Sequence, residues 1–330
     1  FPKDKIEGWE SMLSYKKLKP TMILYISLPV FTFLLGYLRW YWAVPSICAL
    51  AFAIYRALRD CRPWARSCGG RAAITGKELA AWFIFALVFT HLCGLNGFWY
   101  QTSDWNARNP IYKDIIPRQW PVFFESRNTA LSYYIGFWLV PAVPAKIACA
   151  LFGRNASWIV GRIALWIWAA VGLWLLLMAS FAFLNAQTRK LRLITAAVIL
   201  GFSGLDVVGT LITSKYDILN GSVLHIEWWC SHQFSSITTC LCWVFNQTVI
   251  PWVCILCFLM EKNSKNYLLI GVCCLFCGSF PFVGLVALMA AGFAVDAIRD
   301  KKPSCILSNA FSPQNLSILL GVFPFIAMYL

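Results

Sequence analysis

The amino-acid sequence predicts an all-α membrane protein, a polytopic bundle of transmembrane helices. Of its 330 residues, 60% are hydrophobic and only 13% are charged, whereas about a quarter of the residues in an ordinary soluble domain are charged. Several apolar runs also reach or approach the roughly 20 residues that a membrane-spanning helix needs. These observations exclude a soluble protein and predict a single transmembrane domain over residues 1–330, with about nine or ten spans.

The basic residues indicate which ends of the spans face the cytoplasm. The net charge is +14, but Lys and Arg are clustered between apolar runs, at residues 1–19, 56–77, 187–192 and 299–302. Membrane proteins keep such clusters on the cytoplasmic side, a tendency called the charge rule below. Attraction to anionic membrane lipids explains these clusters. We therefore expect a cytoplasmic N-terminus and no nucleic-acid partner. Most of the 14 Cys lie within apolar runs, where we expect them to pack as small hydrophobic side chains.

The first half of the chain predicts three spans and then a broken segment. Residues 20–38, 40–55 and 79–98 are the first three apolar runs, and the third leads to a first outer loop at residues 99–128. A long span follows at residues 157–184. One crossing by the intervening residues 129–152 would put the basic cluster at 187–192 outside, against the charge rule. We therefore expect residues 129–152 to be broken at Pro141 and Pro144 and to return to the outer face.

The second half continues the alternation of spans and loops. Residues 193–213 lead outward to a second outer loop at residues 214–239, and residues 240–260 return inward. Residues 267–297 form a hairpin of two short limbs, and residues 316–330 head outward again. Because this last run has no polar flank, we expect the chain to continue beyond residue 330.

The first outer loop contains the main catalytic candidate, Asp104. Loops longer than roughly 12–15 residues are usually functional or disordered, and the aromatic and aliphatic residues of this loop favour an ordered structure. Asp104 follows closely on a span, so it is a candidate general base whose pKa partial burial would raise. It is equally a candidate ligand for a divalent cation such as Mg²⁺ or Mn²⁺.

The cations of the same loop are candidates for binding a phosphate. The guanidinium fork of Arg matches phosphate oxygens, and if residues 106–116 are helical, Arg108 and Tyr112 share a face. In the second outer loop, His225 and Glu227 are two residues apart and would point the same way in an extended chain. The predicted phosphate-binding residues are Arg108, Lys113 and Arg118, and the predicted substrate-lining residues are Asn109, Asp114, Asp206, His225, Glu227 and Trp228. Solvated charges beside an interfacial aromatic belt remain the alternative explanation.

Three stretches resemble one group of known proteins. They are QTSDWNARNPIYKDIIPRQWPVFFE, FSGLDVVG, and HIEWW followed by WVFNQTVIPW. They resemble large bacterial multispanning proteins close to the polyprenyl-phosphate-dependent, GT-C-type membrane glycosyltransferases, over roughly residues 80–290. The resemblance implies a GT-C-like bundle in the bacterial cytoplasmic membrane, serving the cell envelope. It also implies transfer of a sugar from a polyprenyl-phosphate donor to a glycan or lipid acceptor on the non-cytoplasmic face, with Asp104 as base or metal ligand. Ser103 and Trp105 flank Asp104 where the superfamily often has a second acid, so metal dependence stays open.

Two other classes of function remain as alternatives. A transporter or flippase for a lipid-linked or polar solute would have inverted repeats and charges deep within its spans. The sequence instead places its ionisable residues near the outer ends of spans and shows no clear repeat, which favours the enzyme. A non-catalytic membrane scaffold would tolerate replacement of Asp104 without loss of any chemistry.

Overall fold

The computed structural model describes residues 15–59, 74–203, 205–213, 220, 226–227, 234–261, 264–300 and 304–330. Over these ranges the chain is helical apart from turns and one two-stranded hairpin, in which β1 (Phe123–Phe124) pairs antiparallel with β2 (Thr129–Ala130). The all-α prediction is confirmed. The helices are α1 (Tyr15–Tyr37), α2 (Trp40–Arg59), α3 (Gly76–Leu92), α4 (Trp105–Ile115), α5 (Gly136–Phe183), α6 (Arg189–Gly201), α7 (Asp206–Thr213), α8 (Ile237–Met260), α9 (Tyr267–Cys277), α10 (Ser279–Asp300), α11 (Ser304–Ala310), α12 (Pro313–Gly321) and α13 (Phe323–Tyr329).

Several of these helices have the length and composition of membrane spans. Within the described ranges, four qualify, in α1, α2, α5 and α8, and a fifth is added if α6 and α7, bent by 62°, form one broken span. Shorter apolar helices cover Ser264–Cys277, Ser279–Val295 and Pro313–Tyr329. These helices are compatible with an integral membrane protein, and the count of about nine or ten spans stays a prediction.

One end of the bundle gathers buried ion pairs and is called the basic end below. There, Lys19 of α1 pairs with Glu261 after α8 at 2.7 Å. Glu78, in the first turn of α3, closes a capping box with Thr75 and accepts a hydrogen bond of 2.9 Å from Arg192 of α6. Burial opposes ionisation of Glu78, but the Thr75 hydrogen bond and the nearby guanidinium groups outweigh it and lower the pKa of this carboxyl.

Helix α5 is a hairpin rather than a straight rod. At Gly153 the backbone adopts φ 84° and ψ 179°, and the chain reverses. In a straight helix Phe137 and Trp168 would lie about 46 Å apart, but their ring centroids are 6.4 Å apart. A Cβ atom added to Gly161 would likewise lie 3.3 Å from that of Ala145. The two limbs, residues 136–152 and 154–183, therefore run antiparallel.

The expected break near residues 129–152 is present, but its predicted position was wrong. Pro141 and Pro144 lie inside the first limb, because neighbouring groups in a packed bundle can accommodate the hydrogen bonds that proline removes. The left-handed φ at Gly153 makes the reversal instead, since a residue without Cβ adopts it without steric cost.

The second limb of α5 packs antiparallel to α3. From one end to the other, Arg162 Nε donates to the Asn96 carbonyl (2.6 Å), Trp166 Nε1 to Leu87 (2.8 Å) and Trp174 Nε1 to Leu79 (3.2 Å). Leu79 adjoins Glu78 at the basic end. The loop after α3 and the turn at Gly153 therefore lie at the opposite end of the bundle.

Candidate functional site

Helix α4 lies at the end opposite the basic end, wedged between α8 and the second limb of α5. Trp105 stacks on Phe245 with ring centroids 4.6 Å apart, and its indole nitrogen donates to the Cys242 carbonyl at 3.1 Å. On the other side, the Tyr112 hydroxyl donates to the Gly161 carbonyl at 2.9 Å. These buried anchors explain why the first outer loop is ordered around a helix.

A cavity of about 200 Å³ opens between α4, the loop after α3 and α5, and is called the polar cavity below. The aromatic rings of Trp105, Tyr112 and Trp158 form part of its wall. No carboxylate occurs among the described residues that line it. Its polar and cationic lining consists of Asn96, Gln101, Asn109, Lys113 and Arg162.

Both cations of the polar cavity are held by contacts that leave their charge unneutralised. The Arg162 guanidinium lies over the ring of Phe98, 3.9 Å from its centroid, and uses Nε to bind the Asn96 carbonyl. The Lys113 ammonium lies 4.8 Å from the ring centroid of Trp158. In the described part of the chain, neither Arg162 nor Lys113 forms an ion pair with a carboxylate. The cavity is therefore an electropositive pocket.

Asp104 and Arg108 form an ion pair beside the polar cavity rather than within its lining. Arg108 Nη2 lies 2.9 Å from the Asp104 carboxylate, and the side chain of Arg108 is 6% exposed while that of Asp104 is 43% exposed. The expected helix is present as α4. Arg108 and Tyr112 are both buried and share one face of this helix. Arg108 Nε and Nη1 have no hydrogen-bond partner among the described residues.

Lys113 also faces a second cavity of about 330 Å³, called the tip cavity because it lies next to the turn at Gly153. Asp114, Arg154 and Trp158 are among its lining residues. Asp114 pairs with Arg118 at 3.0 Å, and both side chains are partly exposed. Lys113 and Trp158 line both cavities and form the wall between them. Asp114 is therefore the predicted carboxylate that shares a cavity with Lys113.

Glu227 of the second outer loop and Asp206 of the preceding run both accept hydrogen bonds from the backbone near the start of α8. Glu227 is buried and accepts hydrogen bonds from the Ser236 backbone nitrogen (2.9 Å) and hydroxyl (2.7 Å), at the N-cap of α8. Asp206 accepts from the Phe234 backbone nitrogen at 2.6 Å. His225 and Trp228 lie outside the described residues. The structure thus brings Asn109 and Lys113 together, but does not place Glu227 or Asp206 in the same cavity.

The sequence patterns did not single out several residues of the site, among them Asn96, Gln101, Trp158 and Arg162. Trp158 and Arg162 fall in the run 157–184, whose composition predicts one long span. An Arg inside such a run is itself a signal, because ionisable groups at membrane depth are costly and mark functional sites.

The described residues offer little support for a metal at Asp104. No group of three or more His, Cys, Asp or Glu side chains suited to a metal ion occurs among them. Asp104 faces a guanidinium at 2.9 Å, and this positive charge would repel a divalent cation. The divalent cofactor remains a prediction from the sequence.

Comparison with protein-family models, with curated proteins and with solved structures finds no match for this chain. The function of this chain is therefore inferred from the geometry of its site.

Proposed function

We propose that this protein is a membrane glycosyltransferase of the GT-C type. In this proposal it transfers a sugar from a polyprenyl-phosphate donor to a glycan or lipid acceptor on the non-cytoplasmic face of the membrane. The observation that supports it is that Lys113 and Arg162 line the same cavity, with no carboxylate among its described lining residues. This cavity lies at the end of the bundle opposite the basic end, and the charge rule assigns the basic end to the cytoplasm.

The donor phosphate is proposed to bind between Lys113 and Arg162. Arg162 donates to Asn96 through Nε, and its two Nη atoms have no hydrogen-bond partner among the described residues. A guanidinium presents such donors to phosphate oxygens with matching geometry. Charge-assisted hydrogen bonds of this kind are about twice as strong as neutral ones. Both cations would also stabilise the phosphate as it leaves.

The sugar and the lipid chain fit the remaining surroundings of the cavity. Gln101 and Asn109 hydrogen-bond to each other at 2.9 Å and present amide groups that suit sugar hydroxyls, while Trp158 presents a ring. A few convergent polar groups among aromatic side chains are typical of ligand sites. Ile159 and Ile163 on the second limb of α5 are exposed, so an apolar chain leaving the cavity would meet an apolar surface.

Asp104 is the proposed base, and Asp114 is the competing candidate. The base takes the proton of an acceptor hydroxyl, the acceptor oxygen bonds to the anomeric carbon, and the bond from that carbon to the donor phosphate breaks. Asp104 precedes Trp105, which lines the polar cavity, and its partly exposed carboxylate lies 2.9 Å from Arg108 Nη2. Asp114 shares the tip cavity with Lys113.

The test measures transfer of labelled sugar from a panel of polyprenyl-phosphate sugars in membranes that contain the full-length protein. We expect Asp104→Asn to abolish transfer, and Lys113→Gln or Arg162→Gln to reduce it about tenfold or more. The matched control is Arg59→Gln, which removes an exposed cation at the far end of α2. Loss with Asp114→Asn but not Asp104→Asn would reassign the base. Equal transfer by wild type and by both cavity variants would refute the assigned site.

A transporter or flippase for a lipid-linked solute is the second candidate, favoured by breaks in the apolar helices. Val244 in α8 has non-helical angles, φ −135° and ψ 31°. Asn246 follows it fully buried, and neither its amide nitrogen nor its oxygen has a hydrogen-bond partner among the described residues. Broken helices form transporter binding sites. Asn246→Leu should then abolish movement of a fluorescent lipid-linked phosphate across reconstituted vesicles, whereas the transferase proposal expects sugar transfer to survive this change.

A further inference from the structure

Two cysteine side chains meet at the end of the bundle that contains the polar cavity. Cys93 is the C-cap of α3, and Cys242 lies in the second turn of α8. Their side chains are close neighbours. Both are free thiols in this structure. The contact joins the end of α3, just before the first outer loop, to α8, the helix that follows the second outer loop.

Backbone and side-chain contacts hold this pair in place. The Thr102 hydroxyl and the Trp105 indole nitrogen both donate to the Cys242 carbonyl, at 3.2 and 3.1 Å. The Gln101 amide donates to the Gly94 carbonyl at 2.8 Å, which closes the loop just after Cys93. The chain from Cys93 to Trp105 therefore wraps around Cys242, and the meeting of the thiols follows from the position of this loop.

The two thiols differ in access, and the end of the bundle where they lie suits oxidation. Cys93 is 6% exposed, whereas Cys242 is partly exposed. The ion pairs of Lys19 and Glu78 are at the opposite end, which the charge rule places in the cytoplasm. The Cys pair would then lie on the non-cytoplasmic side, where disulfides form and persist.

We propose that Cys93 and Cys242 form a reversible disulfide that ties the end of α3 to α8. The oxidant is a disulfide compound that exchanges with thiols. The Cys242 thiolate attacks one of its sulfurs and gives a mixed disulfide with loss of one oxidant thiolate. Cys93 then loses its proton and attacks Cys242 Sγ, which forms the Cys93–Cys242 bond and releases the second thiolate. The protein loses two electrons and two protons, and the oxidant becomes a dithiol or two thiols.

The disulfide would immobilise one wall of the polar cavity. Asn96 and Gln101 line that cavity, and Cys93 is their near neighbour in sequence. In the reduced protein, non-covalent contacts hold this wall against α8. This inference does not depend on the proposed transferase activity, because it concerns the pairing of thiols and not the ligand.

A second thiol contact provides a matched control. Cys254 of α8 and Cys274 of α9 also have neighbouring side chains, but both are fully buried within apolar helices. A soluble disulfide oxidant has no access to them. If contact between two thiols were sufficient, both pairs would be oxidised. If the oxidant must also reach a thiol, only Cys93 and Cys242 would be oxidised.

The test maps thiols in the purified, reduced, full-length protein in detergent. The protein is equilibrated with glutathione disulfide and denatured, its free thiols are alkylated with a maleimide, and its peptides are analysed by mass spectrometry. We expect a linked peptide that contains Cys93 and Cys242, loss of maleimide from both residues in more than about half of the molecules, and full recovery after reduction. Cys93→Ala should abolish the link and leave Cys242 as a mixed disulfide with glutathione, and Cys254→Ala should leave the link intact.

Complete alkylation of Cys93 and Cys242 at every ratio of oxidised to reduced glutathione would overturn the proposal. So would cross-linking of Cys254 to Cys274 to the same extent, because the reaction would then report detergent-loosened packing. The wild-type measurement needs no variant to fold. Glutathione reaches the thiols in detergent from either side, so the result is also independent of membrane orientation.

Discussion

Replacing Arg162 by Gln is the sharpest test of the polar cavity as an anion site. The change keeps a polar side chain but removes the charge and the two Nη donors that face no carboxylate among the described residues. A hydrogen bond to a charged group contributes about 1.5–3 kcal/mol, which corresponds to about 10- to 150-fold in affinity. We expect that loss in the affinity for a polyprenyl monophosphate, and a smaller loss at high salt, where screening already weakens the wild-type interaction.

The assay measures displacement of a fluorescent polyprenyl phosphate from the full-length protein in lipid nanodiscs. Arg162→Lys keeps the charge but loses the planar fork, so its affinity should lie between those of wild type and Arg162→Gln. Arg59→Gln at the basic end is the matched control and should bind as wild type does. Thermal unfolding of each variant checks that Asn96 and the loop after α3 remain folded. Affinity of Arg162→Gln within about twofold of wild type would refute the reasoning, as would an equal loss in Arg59→Gln.

Three further changes test the packing around the site. Trp105→Phe retains the stacking on Phe245 but loses the hydrogen bond to α8, so it should lower the free energy of unfolding by about 1 kcal/mol. Trp105→Ala should lower it by about 3–5 kcal/mol. Denaturant titration in detergent compares the two variants, and equal losses would contradict the assigned hydrogen bond. The pKa of Glu78 is lowered from 4.5, so its contribution to stability is fully present above pH 4.5 and is lost as the pH falls through the folded-state pKa. The melting temperature of wild type should therefore fall more steeply below pH 4.5 than that of Glu78→Gln, and parallel curves would exclude this carboxyl as the cause. A Cβ atom on Gly172 would collide with Val249, so Gly172→Val should destabilise the protein by about 1–3 kcal/mol or more, as measured by thermal unfolding. The control is Gly201→Val, whose added Cβ atom meets open space and causes no such clash.

The sequence was most informative where local rules and packing agree. The apolar runs predicted the long apolar helices α1, α2 and α8, which have the length and composition of membrane spans. The i, i+4 spacing placed Arg108 and Tyr112 on one buried face of α4. The position of the α5 reversal was harder to predict. Proline is a stronger local signal than glycine, yet a helix inside a membrane bundle tolerates Pro141 and Pro144, and only the tertiary contacts of the limbs reveal the turn at Gly153.

The composition of the candidate site was only partly predictable, because its walls come from distant parts of the chain. Asn109 and Lys113 were identified from the polar loop that contains them. Arg162 was hidden in an apolar run, and its role follows from the packing of α5 against the loop after α3. Asp104 and Glu227 are strong candidates by residue type, but the structure shows the first paired with Arg108 and the second hydrogen-bonded to Ser236, the N-cap residue of α8.

The position of the polar cavity across the membrane favours a lipid-linked phosphate over a free one. This position follows from the second limb of α5, which carries Arg162. Phe183 ends α5 near the basic end. At 1.5 Å per residue, Arg162 lies about 32 Å farther along the second limb, and the hydrocarbon core of a bilayer is about 30 Å thick. If Phe183 marks the inner edge of that core, the Arg162 guanidinium lies at the outer edge, level with lipid head groups. An anion held there by Arg162 and Lys113 is at the height where a membrane lipid keeps its phosphate, and its chain can remain among the exposed apolar side chains of α5. A soluble sugar phosphate would gain the same two charges but none of this apolar contact. The polyprenyl phosphate should therefore bind more tightly than inorganic phosphate in the same nanodiscs, and equal affinity would remove the lipid from the proposed substrate.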